Sequence, residues 1–241
     1  MIAMNYIDRV QQLLSAINEL ERESMNKAVA LISATIQKDG IVQLFGSGHS
    51  QLLAQESFYR AGGLVPVKPI SIEPLMLHTG AVTSSQNEKD ASRMDEYWAQ
   101  IHLNQHDVLI VISTSGRNYV PVDIAKRAKE MGVTVITLQS LEYRNQQSNH
   151  QTGNRLEHYA DVILNTRVPL GDGIIQSGSL QYGPVSTVVG ATILNNIFAE
   201  VIHYLQQETE DAPVFGSSNV KGKGLSNDYW IEKYKNRINF H

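Results

Sequence analysis

Cysteine is absent from this chain, which excludes a disulfide framework, a thiolate metal site and a thiol nucleophile. Proline and glycine are few, 7 and 17 in 241 residues, so collagen-like and low-complexity classes are excluded too. Positive charge is not in excess. The 20 Lys and Arg stand against 24 Asp and Glu, and no long basic run could track a phosphate backbone. Met1 to Val10 carries Asp8 and Arg9 and lacks the apolar stretch of a secretory signal. No uninterrupted run of about 18 apolar residues exists. These absences predict a cytoplasmic chain with neither nucleic acid nor membrane as partner. They leave carboxylate, imidazole and hydroxyl groups to carry any chemistry.

What is present is an alternation of apolar runs and amphipathic segments. Ile7, Val10, Leu13, Leu14, Ile17, Leu20, Val29, Leu31 and Ile32 recur at mostly helical spacing, predicting one long N-terminal helix that Asp39-Gly40 ends. Strand-length apolar runs follow at 41–45, 64–67, 108–112, 133–138 and, more weakly, 161–164. Helical patterns cover 51–61, 84–104, 121–131 and 185–206, and 167–184 is rich in turns. Continuous apolar strands alternating with helices predict an α/β fold, a doubly wound parallel sheet covered on both faces. The length then divides into a helical extension over 1–36, one domain over 37–207, and a tail over 208–241 that packs on the domain or on a neighbouring subunit.

Two turns stand out, because ligands of open parallel sheets bind outside the carboxyl ends of the strands. Gly46, Ser47, Gly48, His49 and Ser50 follow the first strand and open a helix. The glycines admit close backbone approach, and a helix N-terminus favours an anion. A dinucleotide fingerprint would need a third glycine where Gln51 stands, and a P-loop would need a Gly-Lys-Ser/Thr. Ser113, Thr114, Ser115 and Gly116, then Arg117 and Asn118, repeat the arrangement after the most apolar strand. Three successive hydroxyls before a glycine suit the several acceptor oxygens of a phosphate monoester. Helix capping without a ligand is the plainer account of either turn alone.

With these residues in place, the sequence resembles the SIS (sugar isomerase) domain family over about residues 35 to 205, in a flavodoxin-like three-layer sandwich. Its most specific element is the run Val108 to Leu138. The resemblance implies a phosphate loop at Ser113, Thr114, Ser115 and Gly116, with Asn118 standing where the family carries a hydroxyl. It implies substrate contacts at Gly46, Ser47, Gly48, His49 and Ser50, and at Ser186 and Thr187, whose alternative is an ordinary helix cap. Glu73 falls where the family's isomerases have a catalytic glutamate, and His78 follows among Leu75, Met76 and Leu77, an apolar flank that would desolvate both. His203 is the rival imidazole, with a core position as its plainer account. Asn195 and His203 have the spacing of two phosphoheptose isomerase zinc ligands. Glu56 and Arg60 occupy the other two positions, and a guanidinium cannot ligate zinc. No metal and no cofactor are therefore implied.

The resemblance implies a cofactor-free aldose–ketose isomerase acting on a phosphorylated sugar or amino sugar. A non-catalytic phosphosugar sensor and a phosphosugar lyase or etherase are the alternatives. It further implies a homodimer or homotetramer, assembled through the N-terminal helix. The tail lysines Lys221, Lys223, Lys233 and Lys235 are positioned in sequence either to close over a bound phosphate or to lie in solvent.

Overall fold

The computed structural model describes residues 5–208, 211–217, 219 and 226–240. Two helices, α1 (Tyr6–Leu20) and α2 (Arg22–Gln37), precede β1 (Val42–Gly46) and α3 (His49–Glu56). Next come β2 (Val67–Ile70), two 3₁₀ turns at Glu73–Leu75 and Leu77–Thr79, α4 (Ala81–Asn87) and α5 (Met94–Trp98). The chain continues through β3 (Val108–Ile112), α6 (Tyr119–Glu130), β4 (Thr134–Gln139) and β5 (Val162–Asn165). It closes with β6 (Gly173–Ser177), β7 (Leu180–Pro184), α7 (Ser186–Glu208) and α8 (Asn227–Tyr234).

Strands β1 to β5 form one parallel sheet in the order β2-β1-β3-β4-β5. Side chains alternate across it, as the period of two demands. Val108, Ile110 and Ile112 of β3 join a core with Ile32, Leu53, Ile193 and Phe198 from α2, α3 and α7. Leu109 and Val111 face the opposite layer with Tyr97, Val120 and Ile124 from α5 and α6. Each such aliphatic side chain, fully buried, stabilises the fold by about 1.5–3 kcal/mol before entropy is counted. The expected doubly wound sandwich is therefore the architecture.

Local expectations are corrected in four places. The N-terminal helix is broken at Glu21, because its carboxylate turns inward to accept from Asn165 Nδ2 at 3.2 Å and Arg167 Nε at 2.6 Å. Both halves pack on the domain, with Val10, Ile17, Met25 and Ile36 in the core shared with the sheet and α7. The second strand runs three residues later than its apolar run, through Pro69, which an edge strand tolerates. Residues 167–184 contain an antiparallel hairpin, β6–β7. Helix α7 is long and apolar enough to cross a membrane, yet Val189, Ile193, Ile197 and Val201 sit in the protein core.

Candidate functional site

The first turn leaves β1 at Gly46, where a Cβ would come within 2.6 Å of the Ser50 carbonyl oxygen, so only glycine lets the chain fold back this tightly. Gly48 N–H donates to the Leu75 carbonyl at 2.8 Å, tying this turn to the segment that carries Glu73 and His78. Ser47 is buried, Ser50 half-buried and His49 exposed, and no side chain caps α3.

The second turn leaves β3, and its carbonyls are all tied back into the protein. Those of Ser113, Thr114 and Gly116 accept from Gly116 N, Ser140 N and Leu156 N at 3.1, 2.9 and 2.9 Å. The Ser115 carbonyl accepts from Arg155 Nη2 at 2.6 Å. The Ser113, Thr114 and Ser115 hydroxyls make no hydrogen bond among the described residues, with Ser113 buried and Thr114 and Ser115 half-buried. Beneath them lies Gln139 from the end of β4. It is 1% exposed, and both amide atoms lack partners. Its Oε1 lies 2.3 Å from where a Cβ on Gly116 would be, and Gly116 has φ 59°, a left-handed backbone that favours glycine.

Glu73 and His78 come together as expected, with Nε2 2.9 Å from Oε1. Thr79 Oγ1 donates to the Glu73 and Met76 carbonyls at 3.0 and 2.8 Å, and Asn87 Nδ2 donates to the Pro74 carbonyl at 2.8 Å, fixing the segment. The expected desolvation is corrected. Leu75 and Met76 turn inward, leaving the imidazole 64% and the carboxylate 69% exposed in the single chain.

His203 is exposed rather than core, because the buried stripe of α7 runs Val189, Ile193, Ile197, Val201 and Leu205. It lies near Leu205, which lines a groove with Ile36 and Asp39 at the amino end of the sheet, away from Glu73. Asn195 Nδ2 approaches Glu56 at 3.3 Å and Arg60 pairs with Glu56, so those three meet. Among the described residues no cluster of three His, Asp or Glu could hold a metal. Ser186 gives its hydroxyl and its N–H to Asp172, at 2.9 and 2.8 Å, as part of a cap on α7, while Thr187 is exposed. Lys233 pairs with Asp39 and Lys235 with Glu232, far from either turn, and Lys221 and Lys223 lie outside the described residues.

Besides Gln139, three residues at the turns escaped the sequence reading. Glu88 at the end of α4 faces Ser47 and Asn118, bridging the two turns. Burial pushes its carboxyl above the ordinary range, with contacts to Ser47, Asn118 and Lys89 offsetting part of the shift. Arg155 is a buried guanidinium behind the second turn, satisfied by Ser115, Gln146 and Glu157. His150 is buried, stacked on Tyr119 and 3.0 Å from Asp123 through Nε2, and it anchors the loop whose Asn149 N–H donates to the Arg117 carbonyl. A cleft of about 670 Å³ opens beside the second turn, lined by Ser115 and Asn118 but not by Glu73 or His78.

Comparison with known proteins gives the family and the fold. A profile of the SIS domain matches residues 5–140, which include both turns, Glu73, His78 and Glu88. The UPF0309 protein in the nagA 3′ region of Lysinibacillus sphaericus is 49% identical over 235 residues, covering 98% of this chain and 97% of the relative. A UPF0309 protein of Geobacillus sp. strain WCH70 is 47% identical over 236 residues, covering 97% and 96%. Among solved structures, phosphoheptose isomerase from Neisseria gonorrhoeae superposes with a TM-score of 0.54 at 18% identity, over 80% of this chain and 92% of that one. The Vibrio vulnificus NanR protein complexed with ManNAc-6P gives 0.50 at 18% identity, over 85% and 62%. At such identities the structures establish a shared fold. The relatives and the profile establish more: this chain belongs to the SIS-domain family, in its group of UPF0309 proteins.

Proposed function

We propose that the chain binds a phosphorylated sugar or amino sugar at the carboxyl edge of its sheet and isomerises it between aldose and ketose without a cofactor. The observation that carries this reading is the second turn: three free hydroxyls, carbonyls tied back, and a buried amide with no partner. Phosphate sits on Ser113, Thr114, Ser115 and the amides near Gly116, with Asn118 beside them. The first turn, from Gly46 to Ser50, holds sugar hydroxyls. Glu73 takes the proton from the carbon next to the carbonyl, and His78, hydrogen-bonded to it, manages the proton on oxygen. Support also comes from the solved relatives of this fold, one being a phosphoheptose isomerase and another holding ManNAc-6P.

The exposure of Glu73 and His78 bears on assembly. A base works best where water is excluded, so the site is completed by substrate and by a second copy of the chain in a homodimer or homotetramer. Replacing Glu73 tests the chemistry. Glu73→Gln should lower turnover of a sugar phosphate by about 100-fold or more while its dissociation constant changes little; unchanged turnover removes Glu73 from the mechanism. The same exposure favours a second reading, a phosphosugar sensor, for which a sugar-phosphate panel would give binding and no product. A lyase would draw on Glu88 as its carboxyl beside both turns.

A further inference from the structure

The cleft beside the second turn extends away from Glu73 and His78. Those two follow β2, the second turn follows β3, and the cleft's outer walls, Tyr143 and Leu170, follow β4 and β5. Ser115 and Asn118 form one wall of the cleft, so a phosphate on the Ser113 turn has the Glu73 segment on one side and the rest of this chamber on the other. Two cations, Lys89 and Arg117, line that chamber; Arg117 forms no ion pair with a carboxylate among the described residues, and Lys89 acts on the neighbouring Glu88 carboxyl through its charge without a direct salt bridge.

Arg117 is held in place rather than loose. Its carbonyl accepts from Asn149 N at 2.8 Å, and its Nη2 donates to Asn149 Oδ1 at 3.1 Å. Asn149 Nδ2 in turn donates to Asn118 Oδ1 at 2.8 Å, and the neighbouring His150 is fixed by Asp123. The Arg117 Nε–H is buried without an acceptor. A buried, unpaired donor on a permanent cation is costly until an acceptor arrives, and the guanidinium fork matches a carboxylate or phosphate.

We infer that this chamber is a second anion subsite: the ligand is a phosphosugar bearing another anionic group, a carboxylate or a second phosphate, that Arg117 and Lys89 hold while the first phosphate occupies the Ser113 turn. The inference rests on the proposed reading of that turn as a phosphate site. It adds a substrate class, doubly anionic sugar phosphates, and gives a role to a residue that the phosphate turn alone does not use.

Calorimetric titration of the full chain with three ligands tests it. Glucitol 6-phosphate has one anionic group, 6-phosphogluconate replaces its terminal hydroxymethyl by a carboxylate, and glucitol 1,6-bisphosphate adds a second phosphate. At least one of the doubly anionic ligands should bind about tenfold or more tightly than glucitol 6-phosphate, the size of one charge-assisted contact. Arg117→Gln should bring that ratio close to one and leave glucitol 6-phosphate within about threefold of its original affinity. Lys89→Gln, at an exposed position, makes the same test should the arginine variant misfold. Equal affinity for all three ligands, or an equal loss for all three in the variant, would overturn the subsite and leave the phosphosugar reading standing. No binding of any of the three to the unaltered chain at millimolar concentration would overturn that reading and the inference with it.

Discussion

The two ends of the same sheet differ in how one deeply buried side chain at each is satisfied. At the amino end Asp107, 1% exposed, accepts from Ile41 N, Gln43 Nε2, Asn104 N and Arg237 Nη2, at 3.1, 2.9, 2.9 and 2.7 Å. That network pins the C-terminal segment under the strands, where Trp230, Tyr234 and Ile238 pack on Ile41, Val65 and Phe215. At the carboxyl end Gln139 is equally buried and has no partner for either amide atom, and Arg117 Nε and Gln51 Oε1 are also unpartnered. Unpartnered atoms occur at the amino end as well, at Gln43 Oε1 and Tyr234 OH; what sets the carboxyl end apart is that its exceptions lie beside two hydroxyl-rich turns, where a ligand supplies the missing partners under the proposed reading. The Asp107 network serves folding, and the Gln139 edge is the one proposed to hold a ligand.

Breaking the Asp107 network should have the largest effect. Asp107→Ala leaves two backbone N–H groups, an amide and the Arg237 guanidinium without their acceptor, and should cost about 3 kcal/mol of stability in urea unfolding. A loss within the range of ordinary surface substitutions would show the network to be incidental. Gln139 at the carboxyl end should respond in the reverse direction. Gln139→Met replaces an unpaired buried amide by an apolar chain of similar shape, and should raise the melting temperature by about 2–4 °C, from about 1 kcal/mol. The same variant should bind sugar phosphate more weakly. Destabilisation by Gln139→Met would mean that the amide has a structural role.

A smaller, pH-dependent effect is expected at Glu88. Burial holds its proton more tightly in the folded chain than in the unfolded one, where the ordinary value is 4.5. The stability it contributes is therefore complete below that pH and is lost as pH rises through the raised value. Relative to Glu88→Gln, the unaltered protein should lose stability as the pH climbs from 4.5. Parallel stability curves for the two proteins would show that the carboxyl is not held in its neutral form.

How much of this was legible in the sequence follows the same division. The strands β1, β3 and β4 and both turns were readable, because continuous apolar runs ending in Gly and Ser have few other meanings. The approach of His78 to Glu73, five residues apart, was likewise within reach of local reasoning. The break at Glu21 was not, since it depends on Asn165 and Arg167, more than a hundred positions away. Nor were Glu88, Arg155 and Gln139, because a polar residue in sequence carries no sign of whether it will be buried. Their places follow from which strands become neighbours. His203 misled for a related reason: an apolar helix predicts a buried stripe, but not which residues fall outside it.

The central claim is that the Gln139 edge holds a sugar phosphate. Thermal unfolding of the unaltered chain and of a Ser113→Ala, Ser115→Ala double variant, with hexose and hexosamine 6-phosphates beside the same sugars without phosphate, tests it most directly. A ligand at 100 times its dissociation constant should stabilise the unaltered chain by about 2.7 kcal/mol. The unphosphorylated sugars should have no such effect, and the double variant should lose most of the response. Equal responses to sugars with and without phosphate, or an undiminished response in the double variant, would contradict the account.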